Sequence, residues 1–130
     1  MLDTNLDVEK LKKLQFKIMK DVAASALIPL MRIGDQLGLF QKLSALGPIT
    51  SKKFAEEAKV DERYLREWLY ALSATDFVSY DGEKEEFSLS PEQKAVFADE
   101  EGPANMLGAY EVLAGQVSVS YTHLTLPTNG

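Results

Sequence analysis

The chain contains no cysteine and a single histidine, His123. Without thiols there is no disulfide framework, no cysteine-ligated zinc and no thiol nucleophile, a usage that suits a reducing compartment. Long apolar runs are missing too. The most apolar stretch, Val22 to Met31, is interrupted by Pro29 and followed by Arg32, well short of the about 20 residues that a bilayer span requires, so no membrane partner is expected. The N-terminus MLDTNLDVEK is acidic and polar where a secretory signal is basic and then apolar, which makes the cytoplasm the expected location. Positive charge is scarce: 14 Lys and Arg stand against 20 Asp and Glu, a poor balance for a surface that must displace counterions from phosphates. Closely spaced glycines are also lacking. No two of the 8 glycines are separated by a single residue, so the glycine-rich turn that cradles a nucleotide cofactor after a first strand has no counterpart.

What is present is enough for one domain with a real core, at 130 residues and 45% hydrophobic. Leu11, Leu14, Ile18 and Val22 recur at helical spacing, with Lys12, Lys13, Lys17 and Lys20 mostly on the other side. From Val22 to Ile33 the helix becomes apolar nearly all the way round, so it must be covered on every side, and Pro29 should kink or divide it. A short helix over Gln41 to Leu46 should end at Gly47-Pro48, with glycine as a left-handed cap. Thr50 or Ser51 caps a helix to about Ala58, Lys59 and Val60 turn, and Asp61 caps the next helix, whose Leu65, Trp68, Leu69 and Leu72 face inward. Phe77 to Tyr80 and Glu86 to Ser90 alternate as two strands of a hairpin. Ser90-Pro91-Glu92-Gln93 is a capped helix start with proline at the first position. The order of helices, hairpin and helix predicts a mainly α fold, a winged helix-turn-helix over residues 1–100, with a further helix starting in residues 101–117.

The helix VDERYLREWLYAL is shaped like one that reads DNA, which raises the alternative of a small winged-helix transcriptional regulator carrying Arg63 and Arg66 to the major groove. Charge argues against it. Glu62 precedes Arg66 by four residues and Arg63 precedes Glu67 by four, the spacing at which opposite charges meet on a helix, so both arginines are expected to be occupied locally. The wing DGEKEE sets four carboxylates against Lys84, and Ser51 to Glu100 holds seven Lys or Arg against thirteen Asp or Glu. No nucleic-acid partner is expected of such a surface.

Gly38-Leu39-Phe40, Gly47-Pro48 before Thr50-Ser51, Asp61-Glu62-Arg63-Tyr64 through Arg66-Glu67-Trp68-Leu69, Tyr80-Asp81 and Leu89-Ser90-Pro91-Glu92 occur in order over about 75 residues. Together they resemble the N-terminal winged-helix domain that precedes the catalytic domain in bacterial class I S-adenosylmethionine-dependent methyltransferases, including the O-methyltransferase type. The resemblance implies a domain for dimerisation and for closing a small-molecule substrate pocket. It implies S-adenosylmethionine as cofactor of the full-length parent and a homodimer joined through the apolar N-terminal helices. The catalytic part has no counterpart here, so this fragment alone is expected to be inactive. No catalytic, cofactor-binding or metal-binding residue is assigned in it.

The last stretch, SVSYTHLTLPTNG from Ser118 to Gly130, resembles the translation of a sequencing adapter. Natural sequence is then expected to stop near Val117, with 118–130 non-native and His123 without meaning. As natural sequence, SYTHLTL alternates well enough for a strand. The acidic pairs Glu56-Glu57 and Glu85-Glu86 lack a third ligand or an apolar pocket and read as solvated surface. Trp68 and Phe40 read as core before ligand stacking, and Met19, Met31 and Met106 as packing before pocket lining.

Overall fold

In the computed structural model the described residues are 4–115. They form α1 (Val8–Ser25), α2 (Leu27–Gln36), α3 (Leu39–Leu46), β1 (Ile49–Thr50), α4 (Ser51–Ala58), α5 (Glu62–Ala74), β2 (Ser79–Asp81), β3 (Glu86–Ser88) and α6 (Pro91–Phe97). Residues 108–115 are helical again. The arrangement is the expected winged helix-turn-helix, mainly α, with a three-stranded antiparallel sheet in the order β1-β3-β2. The first strand is not foreseen by the sequence pattern. Ile49 and Thr50 pair with Phe87 and Glu86 of the hairpin, which ties the start of α4 to the wing.

Local chemistry sets most boundaries. Thr50, Asp61 and Ser90 each accept a backbone N–H of the helix they precede, from Lys53, Tyr64 and Gln93, satisfying donors that have no partner within the helix. Gln93 completes a capping box by accepting the Ser90 N–H at 2.7 Å, while its amide donates to the Asp76 carbonyl at 2.9 Å. One side chain thus fixes both the start of α6 and the turn out of α5. The left-handed turn lies elsewhere than expected. Gly47 is extended, with φ -73 and ψ 156, whereas Gly38 before α3 takes φ 65, a region open mainly to glycine. A side chain at Gly47 is excluded for another reason, since its Cβ would stand 2.9 Å from the Leu43 carbonyl oxygen.

The core is aromatic at its centre. Phe40 lies 5.2 Å from the Trp68 ring and 5.2 Å from Phe97, which in turn meets Phe77 at 5.1 Å. Gly34 lets α2 approach this cluster, because a Cβ there would come within 2.6 Å of both Phe40 and Trp68. Trp68 donates its indole N–H to the Leu30 carbonyl at 2.9 Å, joining α5 to α2 by a polar bond inside an apolar contact. Beyond residue 100 the chain continues to pack: Leu107 is buried, the Met106 N–H reaches the Val96 carbonyl at 2.9 Å, and Glu111 pairs with Arg32 at 3.1 Å.

The N-terminal region departs from expectation. The long apolar helix divides at Ala26, before Pro29 instead of at it. Proline collides with the carbonyl four residues earlier, which is that of Ser25, the end of α1. Nor does the α1 stripe reach the core. No residue of α1 is buried, and Leu14, Ile18 and Val22 are 56%, 52% and 62% exposed. Of the segment expected to be covered on all sides, Met31 is buried and Ile33 remains 43% exposed.

Candidate functional site

The helix-turn-helix is α4, a turn and α5. Lys59 takes a left-handed φ of 57 at the end of α4, and Asp61 starts α5 two residues later with its carboxylate on the Tyr64 N–H. Leu65, Trp68, Leu69 and Leu72 are buried, as their spacing predicts. The remaining face, the one that would enter a major groove, presents Arg63, Tyr64, Glu67 and Tyr70 to solvent, with Arg66 and Glu62 half-buried beside them.

The two arginines differ. Arg66 lies 3.6 Å from Glu62, and Glu62 also accepts the Ser51 hydroxyl at 3.0 Å, so this cation is tethered through α5 to the start of α4. Arg63 forms no ion pair among the described residues, and the expected partnership with Glu67 is not made. Both its guanidinium and the Glu67 carboxylate are left to solvent. One cation next to a carboxylate one turn away remains a weak anchor for phosphate.

The wing is a β2–β3 hairpin whose tip is held by Asp81, which accepts the N–H groups of Glu83 at 3.0 Å and Lys84 at 3.3 Å. Glu85 takes a left-handed φ of 54, and the tip residues 81–85 are exposed. At its base three rings are layered: Tyr80 stacks on Phe87 at 4.6 Å and meets Tyr70 edge-on at 5.7 Å. A hydrogen bond with Tyr70, then desolvation and the nearby Glu85 and Asp81 carboxylates, push the Tyr80 phenol up. It stays neutral, so the wing offers a polyanion an uncharged ring among carboxylates.

The other candidates fall mostly on the structural side. Trp68, Phe40 and Met31 are core residues, while Met19 and Met106 are 69% and 59% exposed and line no core. Glu56, Glu57 and Glu85 are exposed, and no group of acidic or histidine side chains among the described residues is placed to hold a metal. His123 and the adapter-like tail lie outside the described residues. No helix among the described residues is long and apolar enough to cross a membrane.

A second surface has no forerunner in the sequence motifs. Between α2 and α5 runs an open apolar groove of about 440 Å³, lined by Leu30, Ile33, Leu37, Tyr64 and Trp68, with Asp61 and Glu67 at its rim. Its trace in the sequence is two apolar residues that stay exposed, Ile33 on α2 and Leu37 just after it.

The Rv2258c-like winged HTH domain matches residues 23–98. The chain belongs to this family. The Rv2258c-like match starts inside α1 and ends just after α6, so it takes in both the helix-turn-helix and the wing. No curated protein matches the chain by sequence. Among solved structures, a cysteine-to-alanine variant of LepI in complex with SAH and a substrate analogue is similar in fold, with a TM-score of 0.56 and 20% identity over 68% of this chain. The chain spans 24% of the length of that one.

Proposed function

We propose that this Rv2258c-like domain is the dimerisation and substrate-pocket-capping part of an S-adenosylmethionine-dependent methyltransferase, and that its helix-turn-helix does not read DNA. The observation that carries the reading is electrostatic: the face and wing that would meet a duplex expose carboxylates at the positions where cations are needed, and Arg66 is tied to Glu62 at 3.6 Å. The fold shared with LepI, whose structure contains SAH, supports a parent that acts on small molecules.

The glycines of the helical head before α3 are not placed to hold a nucleotide cofactor. Gly34 faces the Phe40 and Trp68 rings at a distance that excludes even a methyl group, and Gly38 starts a helix whose first turn packs inward through Leu39 and Phe40. Neither forms the open, glycine-lined turn that a nucleotide requires. In this reading methyl transfer is the work of other parts of the parent, and this domain holds two subunits together and covers the pocket.

A fluorescence titration with mixed-sequence duplex DNA at low ionic strength tests the reading. No saturable binding is expected. Affinity that is measurable there and collapses as salt is added, as counterion release requires, would replace it with the regulator alternative and place Arg63 at the interface.

A further inference from the structure

Asp61, Tyr64 and Glu67 follow one another at intervals of three residues, so they stand in a row along one edge of α5. That edge borders the apolar groove between α2 and α5. We infer that the groove is a binding site for an amphiphilic organic cation, whose apolar body lies against Leu30, Ile33 and Leu37 and whose ammonium group sits by the Tyr64 ring between the two carboxylates. The inference goes beyond the dimerisation and capping role and does not depend on it.

Size and lining suit a small molecule. A volume of about 440 Å³ falls within the range of small-molecule clefts, which are mostly apolar with a few polar groups that fix orientation. Ile33, Leu37 and Tyr64 remain 43%, 47% and 76% exposed, so the chain does not fill the groove from within. Large side chains left in water along one groove forgo the gain of burial, and an apolar patch of this kind marks a contact for something else. The walls are also set in advance. Trp68 donates its indole N–H to the Leu30 carbonyl at 2.9 Å, and Gly34 lies close against the Phe40 and Trp68 rings, which holds α2 and α5 at a fixed separation and lowers the cost of ordering a site on binding.

Charge selects the class of ligand. No lysine, arginine or histidine among the described residues lines the groove, so an anion would meet two carboxylates and no cation. Asp61 uses Oδ1 to accept the Tyr64 N–H at 3.2 Å, and neither Asp61 nor Glu67 has a cationic partner among the described residues. Arg63 is one turn from Glu67 without pairing to it, Arg66 is held by Glu62 at 3.6 Å, and neither arginine lines the groove. A cation at this edge gains from both carboxylates and from the face of the Tyr64 ring. No third acidic or histidine side chain among the described residues joins the pair to hold a metal ion, and the apolar floor calls for an organic cation.

Trp68, the single tryptophan of the chain, lines the groove and reports its occupancy. Its emission is followed as decyltrimethylammonium or decyl sulfate is added below micelle formation at physiological ionic strength, with far-UV circular dichroism to show that the helices persist. Saturable binding of the ammonium is expected, at least about tenfold tighter than that of the sulfate, the scale of a cation at an aromatic ring flanked by carboxylates. Asp61→Asn combined with Glu67→Gln should abolish that preference, the asparagine keeping the helix cap. Glu56→Gln combined with Glu83→Gln removes the same charge from exposed positions outside the groove and should change the ammonium affinity by no more than about twofold, because salt screens separated surface charges. Equal losses in the two double variants would reduce the effect to a general attraction to an acidic chain and overturn the site. Equal binding of the two amphiphiles, or no saturable change in emission, overturns it as well. Emission that responds only once dilution has made the chain monomeric, as followed by sedimentation, gives the groove to a second copy and overturns the ligand.

Discussion

Phe40 and Phe16 are the same side chain in opposite circumstances. Phe40, on α3, is fully buried against Trp68 and Phe97, whereas Phe16, on α1, is 64% exposed with Lys20 over its ring. The head from α2 to α6 has used its apolar residues to close a core, and α1 has kept its own facing outward. Burial is favourable in proportion to the apolar area removed from water, so the first region holds its stabilisation within the chain and the second has most of it still to gain. The difference leaves α1 with a large share of uncovered apolar surface and makes the head the close-packed part of the domain.

The largest effect is expected when the two rings are removed in turn and urea unfolding is followed at low protein concentration, where any self-association is lost. Phe40→Ala should cost about 3–5 kcal/mol, the transfer and cavity terms together, and leave little folded protein. Phe16→Ala should change monomer stability by no more than about 0.5 kcal/mol. Similar losses at both positions would mean that α1 is part of the core after all.

A subtler probe adds a methyl group. Gly34→Ala places a carbon 2.6 Å from the Phe40 and Trp68 rings, and a core packed that tightly yields only by moving side chains off their rotamers, at about 1–3 kcal/mol. Gly108→Ala meets nothing within 4 Å and lies in a helical stretch, so it should be neutral or stabilising by up to about 1 kcal/mol. The pair separates a close-packed head from its looser C-terminal side. Opposite signs in the thermal midpoint are expected.

How much of this is legible in the sequence depends on the kind of signal. Caps and inward stripes are: Asp61 and Ser90 stand where their helices begin, and Leu65, Trp68, Leu69 and Leu72 are buried as spaced. These are local facts about side chains and the backbone next to them. β1 is not legible, because two residues cannot display alternation and its pairing with Phe87 is a tertiary event. The pattern puts the left-handed residue at Gly47 and it belongs to Gly38, since a glycine next to a proline can be needed for space as well as for its torsion angle. Periodicity in α1 shows an apolar face correctly and cannot tell what covers it. The groove stays hidden for the same reason: it is made by Leu37 and Tyr64, which are far apart in the sequence and ordinary when taken singly. Arg63 shows the limit of spacing rules, as an acid one turn away permits an ion pair without forming it.

The finest test uses the same chemistry in both regions. Asp7 caps α1 by accepting the Glu9 and Lys10 N–H groups at 3.0 and 3.2 Å, and Ser90 caps α6 by accepting that of Gln93 at 3.1 Å. Replacing either by alanine removes a cap worth about 1 kcal/mol. In α6 that loss falls on the cooperative unit, because Phe97 at its end is part of the core, and Ser90→Ala should lower the global unfolding free energy by the whole amount. In α1 nothing buried depends on the helix, so the loss should stay local. Hydrogen exchange of amides in the first turns of α1, such as Leu11, whose N–H donates to the Asp7 carbonyl at 2.9 Å, should quicken about fivefold in Asp7→Ala while the melting transition of the head does not move. If Asp7→Ala shifts the global transition as far as Ser90→Ala does, the two regions unfold as one, and α1 is held by contacts that a single copy of the chain does not contain.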